Sequence, residues 1–289
     1  MRIGTNKYSS VMSFALKELA ELYSVNEIKT LVYYLFEEYL GLDKAHYILN
    51  ANNSMSESEL LKFNFAIKDL KKGKPIQYIL EHSHFCDLKF SVNNETLIPR
   101  QETEELVYHI IEKEESRQKL QILDIGTGTG CIPISLAVKM PQHYYSGLDF
   151  KEEIISLAQK NANHHKVDIN FKTLNILETS AIELGEYDII ISNPPYVLES
   201  EKNEMHVNVL KYEPASALYV SDNDALLFYR KIASLASSSL KKGGRIYLEI
   251  NQTKAEETKE LLESFHFKNI SIHQDIHSNN RYISANKSI

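Results

Sequence analysis

The sequence predicts an α/β protein in which a mostly parallel sheet carries helices on both faces and follows an all-helical segment. Three observations carry this. Residues 1–74 show only helical apolar spacing, punctuated by caps. From about residue 120 onward, short and almost continuously apolar runs alternate with amphipathic stretches, the pattern of strands buried on both faces. The first of those runs ends in a glycine-rich turn that opens a helix.

In the helical segment, Ser24-Val25-Asn26-Glu27 is a capping box ahead of Leu31, Val32, Leu35 and Phe36, and Gly41 ends that run. Ser56 and Glu59 repeat the device before Leu60, Phe63, Ile67 and Leu70, after which Gly73 and Pro75 stop the helix. Residues 75–98 change character. Tyr78-Ile79-Leu80, Leu88 to Val92 and Thr96-Leu97-Ile98 read as short strands around the turn Asn93-Asn94, so a β-hairpin linker is expected there. The sheet domain then occupies 99–289. Its strands are expected at Leu120 to Ile125, Tyr144 to Asp149, Tyr187 to Ser192, Arg245 to Ile250, Asn269 to His273 and Tyr282 to Ala285.

Composition narrows the function classes. The chain has 289 residues, is 43% hydrophobic and 25% charged, and has a formal charge of −7, which disfavours a nucleic-acid partner because phosphate binding draws on Lys and Arg clusters. The first 74 residues hold ten Lys or Arg against nine Asp or Glu, and the knot Lys71-Lys72-Gly73-Lys74 reads as a solvated helix end. No run reaches the ~18 apolar residues of a membrane span. Lys17, Glu18 and Glu21 interrupt the N-terminal region, so no signal peptide is expected. Cys86 and Cys131 form neither a disulfide framework nor a ligand spacing, and the histidines, including His82/His84 and His164/His165, show no metal arrangement. The expectation is a cytoplasmic protein with reduced thiols and no metal.

Asp124-Ile125-Gly126-Thr127-Gly128-Thr129-Gly130 joins the first sheet strand to a helix opening near Cys131. Glycines let the backbone approach a ligand closely, beside the free amides of a helix N-terminus. A dinucleotide fold uses a related turn, but would set its third glycine, or an alanine, at Cys131, whereas here it falls at Gly130. Asp149, ending the next strand, is placed to accept hydrogen bonds from two ribose hydroxyls, a feature common to both cofactor classes. S-adenosylmethionine has no pyrophosphate, and no Arg or Lys stands in the turn. Its sulfonium favours nearby carboxylates, for which Asp124 is the candidate. The bland alternative is a glycine turn beside a surface Asp.

Asn193-Pro194-Pro195-Tyr196 follows the strongly apolar strand ending at Ser192. An amide nitrogen is a poor nucleophile because its lone pair is delocalised into the carbonyl. A site that methylates one must hold it in line with the methyl group and give its two N–H groups acceptors. The side-chain oxygen of Asn193 and the carbonyl of Pro194 fit those roles, and consecutive prolines restrict φ and help to aim that carbonyl. Tyr196 offers a flat apolar face to a planar group. The alternative is a loop that merely turns the chain.

On these residues the chain resembles the release-factor glutamine methyltransferase family (HemK/PrmC). Gly73-Lys74-Pro75-Ile76-Gln77-Tyr78-Ile79-Leu80, Thr96 to Arg100 with Glu102-Thr103-Glu104, the Asp124 to Gly130 turn, Asn193 to Tyr196, Glu213-Pro214 with Ala217-Leu218, and Asp275 with Arg281 occur in the family's order. The resemblance implies a seven-stranded Rossmann-like class I methyltransferase domain. It also implies a small N-terminal helical bundle (1–74) that recognises substrate, joined by a β-hairpin (75–98). It implies S-adenosylmethionine held by Gly126, Thr127, Gly128, Thr129, Gly130 and Asp149, with Asn175 and Ile176 on the adenine side and Asn193 near the methionine end. Asn193, Pro194, Pro195 and Tyr196 would hold the glutamine of a Gly-Gly-Gln motif in class I release factors, with no direct nucleic-acid or membrane partner, in a monomer. Three positions depart from the family: Gln101 stands where proline is usual, Glu81 where glycine is usual, and Asn175 where an acid is usual. Arg100 is expected to pair with Glu102 or Glu104, and Glu213 and Pro214 to shape the loop over the target. Enzymes that methylate a ribosomal-protein glutamine or exocyclic amines of nucleic-acid bases share the Asn-Pro-Pro-Tyr corner, and a binding module that has lost catalysis would keep the fold.

Overall fold

The capping boxes set helix ends as the sequence predicts. In the computed structural model, which describes residues 3–115, 119–180 and 184–288, the first unit holds α1 (Tyr8–Glu18), α2 (Val25–Leu40), α3 (Lys44–Leu49), α4 (Glu57–Lys71) and α5 (Ile76–Leu80). The Ser24 amide donates to Glu27 Oε2 at 2.8 Å while the Glu27 amide donates to Ser24 Oγ at 3.3 Å. Ser56 and Glu59 do the same ahead of α4, and Gly41 closes α2 at φ 66°. The apolar stripes meet around the fully buried Phe36, whose ring lies 4.7 Å from Tyr47 and 4.6 Å from Phe63.

The stretch expected to be a linking hairpin divides differently. Tyr78-Ile79-Leu80 is helical, in α5, which follows Pro75 and closes on Glu81 at φ 60°. This left-handed conformation explains the glycine usual at position 81 and costs a glutamate about 1–2 kcal/mol. The hairpin is β1 (His82–Phe85) against β2 (Leu88–Ser91), turning at Cys86-Asp87 rather than Asn93-Asn94. Both turn residues have positive φ, 48° and 64°, as a two-residue hairpin turn of the primed type requires. Asn93 instead opens a local turn with Thr96, and Thr96 to Ile98 forms no strand. Phe85 and Phe90 are fully buried in the sheet unit's core. The compact units are therefore Met1–Glu81 with His206–Tyr212, and His82–Met205 with Glu213–Ile289.

The second unit is built on a seven-stranded sheet: β3 (Gln121–Ile125), β4 (Tyr144–Asp149), β5 (Ile169–Thr173), β6 (Tyr187–Ser192), β9 (Leu240–Glu249), β10 (Phe267–Gln274) and β11 (Asn280–Lys287), while β7 (Val197–Leu198) and β8 (Tyr219–Val220) pair separately. Their order is β10-β11-β9-β6-β3-β4-β5, with β11 antiparallel to both neighbours and the other pairings parallel. β5 is the strand that no apolar run announced. It lies at the sheet edge and buries only Ile169. Along β6, Ile189 and Ile191 enter the core on one face and Ile190 the core on the other, which is why this strand reads as continuously apolar. The helices α6 (Gln101–Glu114), α7 (Cys131–Lys139), α8 (Glu152–His165), α10 (Leu227–Ser239) and α11 (Ala255–Ser264) complete the layers, while α9 (Val207–Tyr212) belongs to the first unit. Position 101 is the first residue of α6, where proline is favoured but not required, so Gln101 is accommodated. Strand order reverses at β3, and in such sheets ligands bind beyond the carboxyl ends of the strands at that point.

Candidate active site

A cavity of about 350 Å³ occupies that position. Gly126 to Thr129 after β3, Asp149 and Phe150 after β4, Leu174 to Leu177 after β5, and Asn193 to Pro195 after β6 form its wall, closed by Glu95 to Leu97, Pro99, Arg100 and Thr103. Four successive strand ends thus bring together residues scattered over a hundred positions of sequence.

The glycine turn is tied to β4 at its start, where the amides of Gly126 and Thr127 both donate to Leu148 O at 2.9 Å. Gly128 lies at φ 54°, its amide donating to Asp149 Oδ2 at 2.9 Å. A Cβ added there would meet no protein atom within 4 Å, so this glycine leaves room for a bound molecule rather than for the fold. Gly130, at φ 77°, serves packing as well: its added Cβ would fall 2.9 Å from Ile134 Cδ1. Asp149 is nearly buried and accepts the amides of Gly128 and Phe150, at 2.9 and 2.8 Å. Burial raises its pKa and these two bonds oppose the rise. Each of its oxygens thus accepts one amide and keeps a further lone pair. Replacing Asp149 with alanine is expected to weaken S-adenosylmethionine binding by ~1–3 kcal/mol. Calorimetry on the folded variant checks this, and unchanged affinity would remove Asp149 from the cofactor site.

Asp124 is fully buried in β3 and does not line the cavity, so it cannot touch a ligand there as the sequence reading supposed. Among the described residues neither of its oxygens, nor Thr127 Oγ1, meets strict hydrogen-bond geometry. Burial pushes its carboxyl up from 3.8 to about 7, with a bond from the Thr127 hydroxyl acting against the rise and Asp149 adding to it. A buried acid two residues before Gly126 would act on a cationic ligand at the turn through its field rather than by contact.

The Asn-Pro-Pro-Tyr corner divides its labour. Asn193, Pro194 and Pro195 line the cavity and Tyr196 does not. The Tyr196 hydroxyl donates to Glu249 Oε1 at 2.9 Å, and its carbonyl accepts from Asn251 Nδ2 at 3.1 Å. Tyr196 therefore pins the corner through its hydroxyl and its carbonyl. Asn193 Nδ2 donates to Thr103 Oγ1 at 3.2 Å, and Thr103 donates in turn to Glu249 Oε2 at 2.6 Å. Among the described residues no donor reaches Asn193 Oδ1. Burial raises the pKa of Glu249, against which the Thr103 and Tyr196 bonds and the Arg281 charge work, while Glu102 reinforces it.

Thr103 and Glu249 escaped the sequence reading. Thr103 sat unremarked in the block Glu102-Thr103-Glu104. Glu249 carried a signal, since it is an acid at the carboxyl end of an otherwise apolar strand, where α/β sheets bind ligands. Arg100 closes on Glu213 at 2.6 Å rather than on Glu102 or Glu104. Glu213, whose other oxygen accepts the Ile98 amide at 3.2 Å, shapes the segment that walls the cavity. Asn175 and Ile176 are in the wall, but the Asn175 amide is held locally: Nδ2 donates to Glu178 at 2.8 Å and Oδ1 accepts from Leu177 at 3.1 Å. Its oxygen keeps one further lone pair.

Comparison with known proteins agrees with this geometry. Residues 101–282 match the family described as the methyltransferase small domain, and residues 11–80 match the PrmC N-terminal domain. The chain is 46% identical over 271 residues to the release factor glutamine methyltransferase of Flavobacterium psychrophilum, covering 93% of this chain and 95% of that one. It is 36% identical over 277 residues to the protein of the same name from Bacteroides thetaiotaomicron, covering 96% and 99%. A methyltransferase structure from Pyrococcus furiosus superposes with a TM-score of 0.51 at 17% identity, over 69% of this chain and 89% of that one, which speaks for the fold alone. With both segments matched and such identity over nearly the whole chain, the protein belongs to the release factor glutamine methyltransferase family.

Proposed function

We propose that the protein methylates the side-chain amide nitrogen of the glutamine in the Gly-Gly-Gln motif of class I peptide chain release factors. Family membership makes it an S-adenosylmethionine-dependent methyltransferase. The observation that carries the substrate reading is the Asn193 amide, which lines the cavity with its nitrogen tied to a buried hydroxyl and its oxygen without a protein donor.

When bound, S-adenosylmethionine supplies a methyl carbon made electrophilic by its sulfonium. The protein's part is to present the target nitrogen. Asn193 Oδ1 and the Pro194 carbonyl accept the two N–H groups of the glutamine amide and hold its lone pair toward the methyl group. Both acceptors also favour the positive charge that nitrogen gains as the new bond forms. The nitrogen proton becomes acidic only then and leaves to water, so no strong base is needed at the site. Tyr196, fixed at its hydroxyl and its carbonyl, keeps the corner's backbone in place.

Labelled methyl transfer should be measured side by side on an intact release factor, the same factor with its motif glutamine replaced by glutamate, a ribosomal protein, and nucleic acid. Only the factor with the glutamine should be labelled. A labelled ribosomal protein or nucleic acid beside an unlabelled release factor would overturn the reading.

In the same reading the helical unit recognises the protein substrate, because one glutamine side chain offers too little surface to select a partner. Tyr34, Leu49 and Phe65 are 52%, 83% and 57% exposed, an apolar provision beyond what a helical core needs. Replacing all three with alanine is expected to lower kcat/KM on intact release factor at least tenfold, by roughly the loss of one interface hot spot. Activity on a short Gly-Gly-Gln peptide should change little, and equal efficiency on the intact factor would reject the role. We place the enzyme in the cytoplasm as a monomer that contacts neither membrane nor nucleic acid directly. Among the described residues no helix is long and apolar enough to cross a membrane, and both cysteines are buried and free.

A further inference from the structure

We propose that Thr103 and Glu249 are positioning residues that fix which way round the Asn193 amide sits, and so decide whether the corner presents an acceptor to the target nitrogen. The inference rests on the reading of Asn193 as that acceptor. An asparagine amide is nearly symmetrical in shape, and two prolines fix the backbone beside it without choosing between its oxygen and its nitrogen. The choice must come from a neighbour that can tell donor from acceptor.

Strand register supplies that neighbour. β6 and β9 run parallel with Ser192 beside Leu248, so the next residues, Asn193 just past the end of β6 and Glu249 as the last residue of β9, come side by side at the carboxyl edge of the sheet. Thr103, from the first turn of α6, lies between their side chains. A threonine hydroxyl has one proton, and the Glu249 carboxylate, whose ionised form the Thr103 and Tyr196 bonds and the Arg281 charge favour against burial, can only accept. The 2.6 Å separation of Thr103 Oγ1 and Glu249 Oε2 is that of a hydroxyl bonded to a carboxylate. Thr103 therefore spends its proton on Glu249 and offers Asn193 only lone pairs. Asn193 must answer with its NH₂, found at 3.2 Å. Were the amide reversed, two oxygens would face each other with no proton between them. Tyr196 donates to the second Glu249 oxygen at 2.9 Å, so the carboxylate's other side is also occupied by a donor. Thr103 and Glu249 are 3% and 2% exposed, which leaves little room for water to relax the rule.

The test is steady-state kinetics on intact release factor with Glu249→Gln, Thr103→Val, Thr103→Ser and Asn193→Ala. In Glu249→Gln, the Tyr196 hydroxyl claims the amide oxygen and the amide nitrogen faces Thr103. Thr103 then accepts from Gln and donates to Asn193, which turns the amide round. We expect kcat to fall at least tenfold, with KM and S-adenosylmethionine affinity within about twofold of the parent. Thr103→Val should also lower kcat, and Thr103→Ser, which keeps the hydroxyl, should restore it to within about threefold. In the Asn193→Ala background, Glu249→Gln should add nothing, since it acts through Asn193. If Asn193→Ala itself is nearly as active as the parent, the acceptor reading fails and this inference falls with it. If Asn193→Ala is inactive while folded Glu249→Gln keeps full kcat, the inference alone is overturned. Should Glu249→Gln not fold, the threonine pair decides: equal kcat for Thr103→Val and Thr103→Ser overturns it.

Discussion

Replacing Asn193 with alanine is expected to cut methyl transfer on the order of a hundredfold or more while leaving S-adenosylmethionine binding almost unchanged. The side chain lines the cavity, one N–H of its amide bonds Thr103, and among the described residues no donor reaches its oxygen. That oxygen is the acceptor the variant loses. A preorganised acceptor contributes most when charge develops on the nitrogen it holds, so the loss should appear in kcat more than in KM for the protein substrate. Rapid-quench measurement of a single turnover, with calorimetry of cofactor binding on the same preparation, separates the two. A fall in turnover of less than about threefold would mean that Asn193 is not the amide acceptor.

The second large effect concerns Asp124 and is read in stability without ligand. Its folded-state pKa, about 7, lies above the ordinary 3.8, so the fold favours the protonated acid. Stability from this group is complete below the unfolded value and is lost as pH rises through about 7, a change of about 4 kcal/mol set mainly by burial of the charged form. Asp124→Asn cannot ionise. Between pH 4 and pH 8 the parent, relative to this variant, should lose stability by about that order in denaturant titrations of the ligand-free proteins. The variant should also bind S-adenosylmethionine more weakly relative to its demethylated product, which lacks the sulfonium charge, because the buried acid can no longer ionise. Parallel stability profiles for the two proteins would show that Asp124 is solvated or paired in solution, and would withdraw it as the source of the field.

How much of this was legible beforehand depended on whether a residue's role is set by its chain neighbours. Capping boxes at Ser24 and Ser56, the glycine turn and the strand ending at Ser192 are local devices, and they stand where the sequence placed them. The hairpin turns elsewhere than expected because Cys86-Asp87 holds one residue of the kind that tolerates positive φ, Asp87, against two at Asn93-Asn94, and so signals a turn less strongly. β5 was unannounced because an edge strand with one buried residue has no apolar run.

The site follows the same division. The fold class and the family were readable from short motifs of consecutive residues, and the same motifs marked the glycine turn with its acid at Asp149, and Asn193 with its prolines, as the candidate site. What surrounds those motifs came from the tertiary fold. It drew Tyr196 out of the cavity onto Glu249, sank Asp124 beneath the turn, paired Arg100 with Glu213 across more than a hundred positions, and set Thr103 between Asn193 and Glu249. Those relations arise from strand register and from one helix's first turn lying over the strand ends. Burial and hydrogen-bond direction, which assign the roles, are properties of neighbours in space that no spacing along the chain encodes.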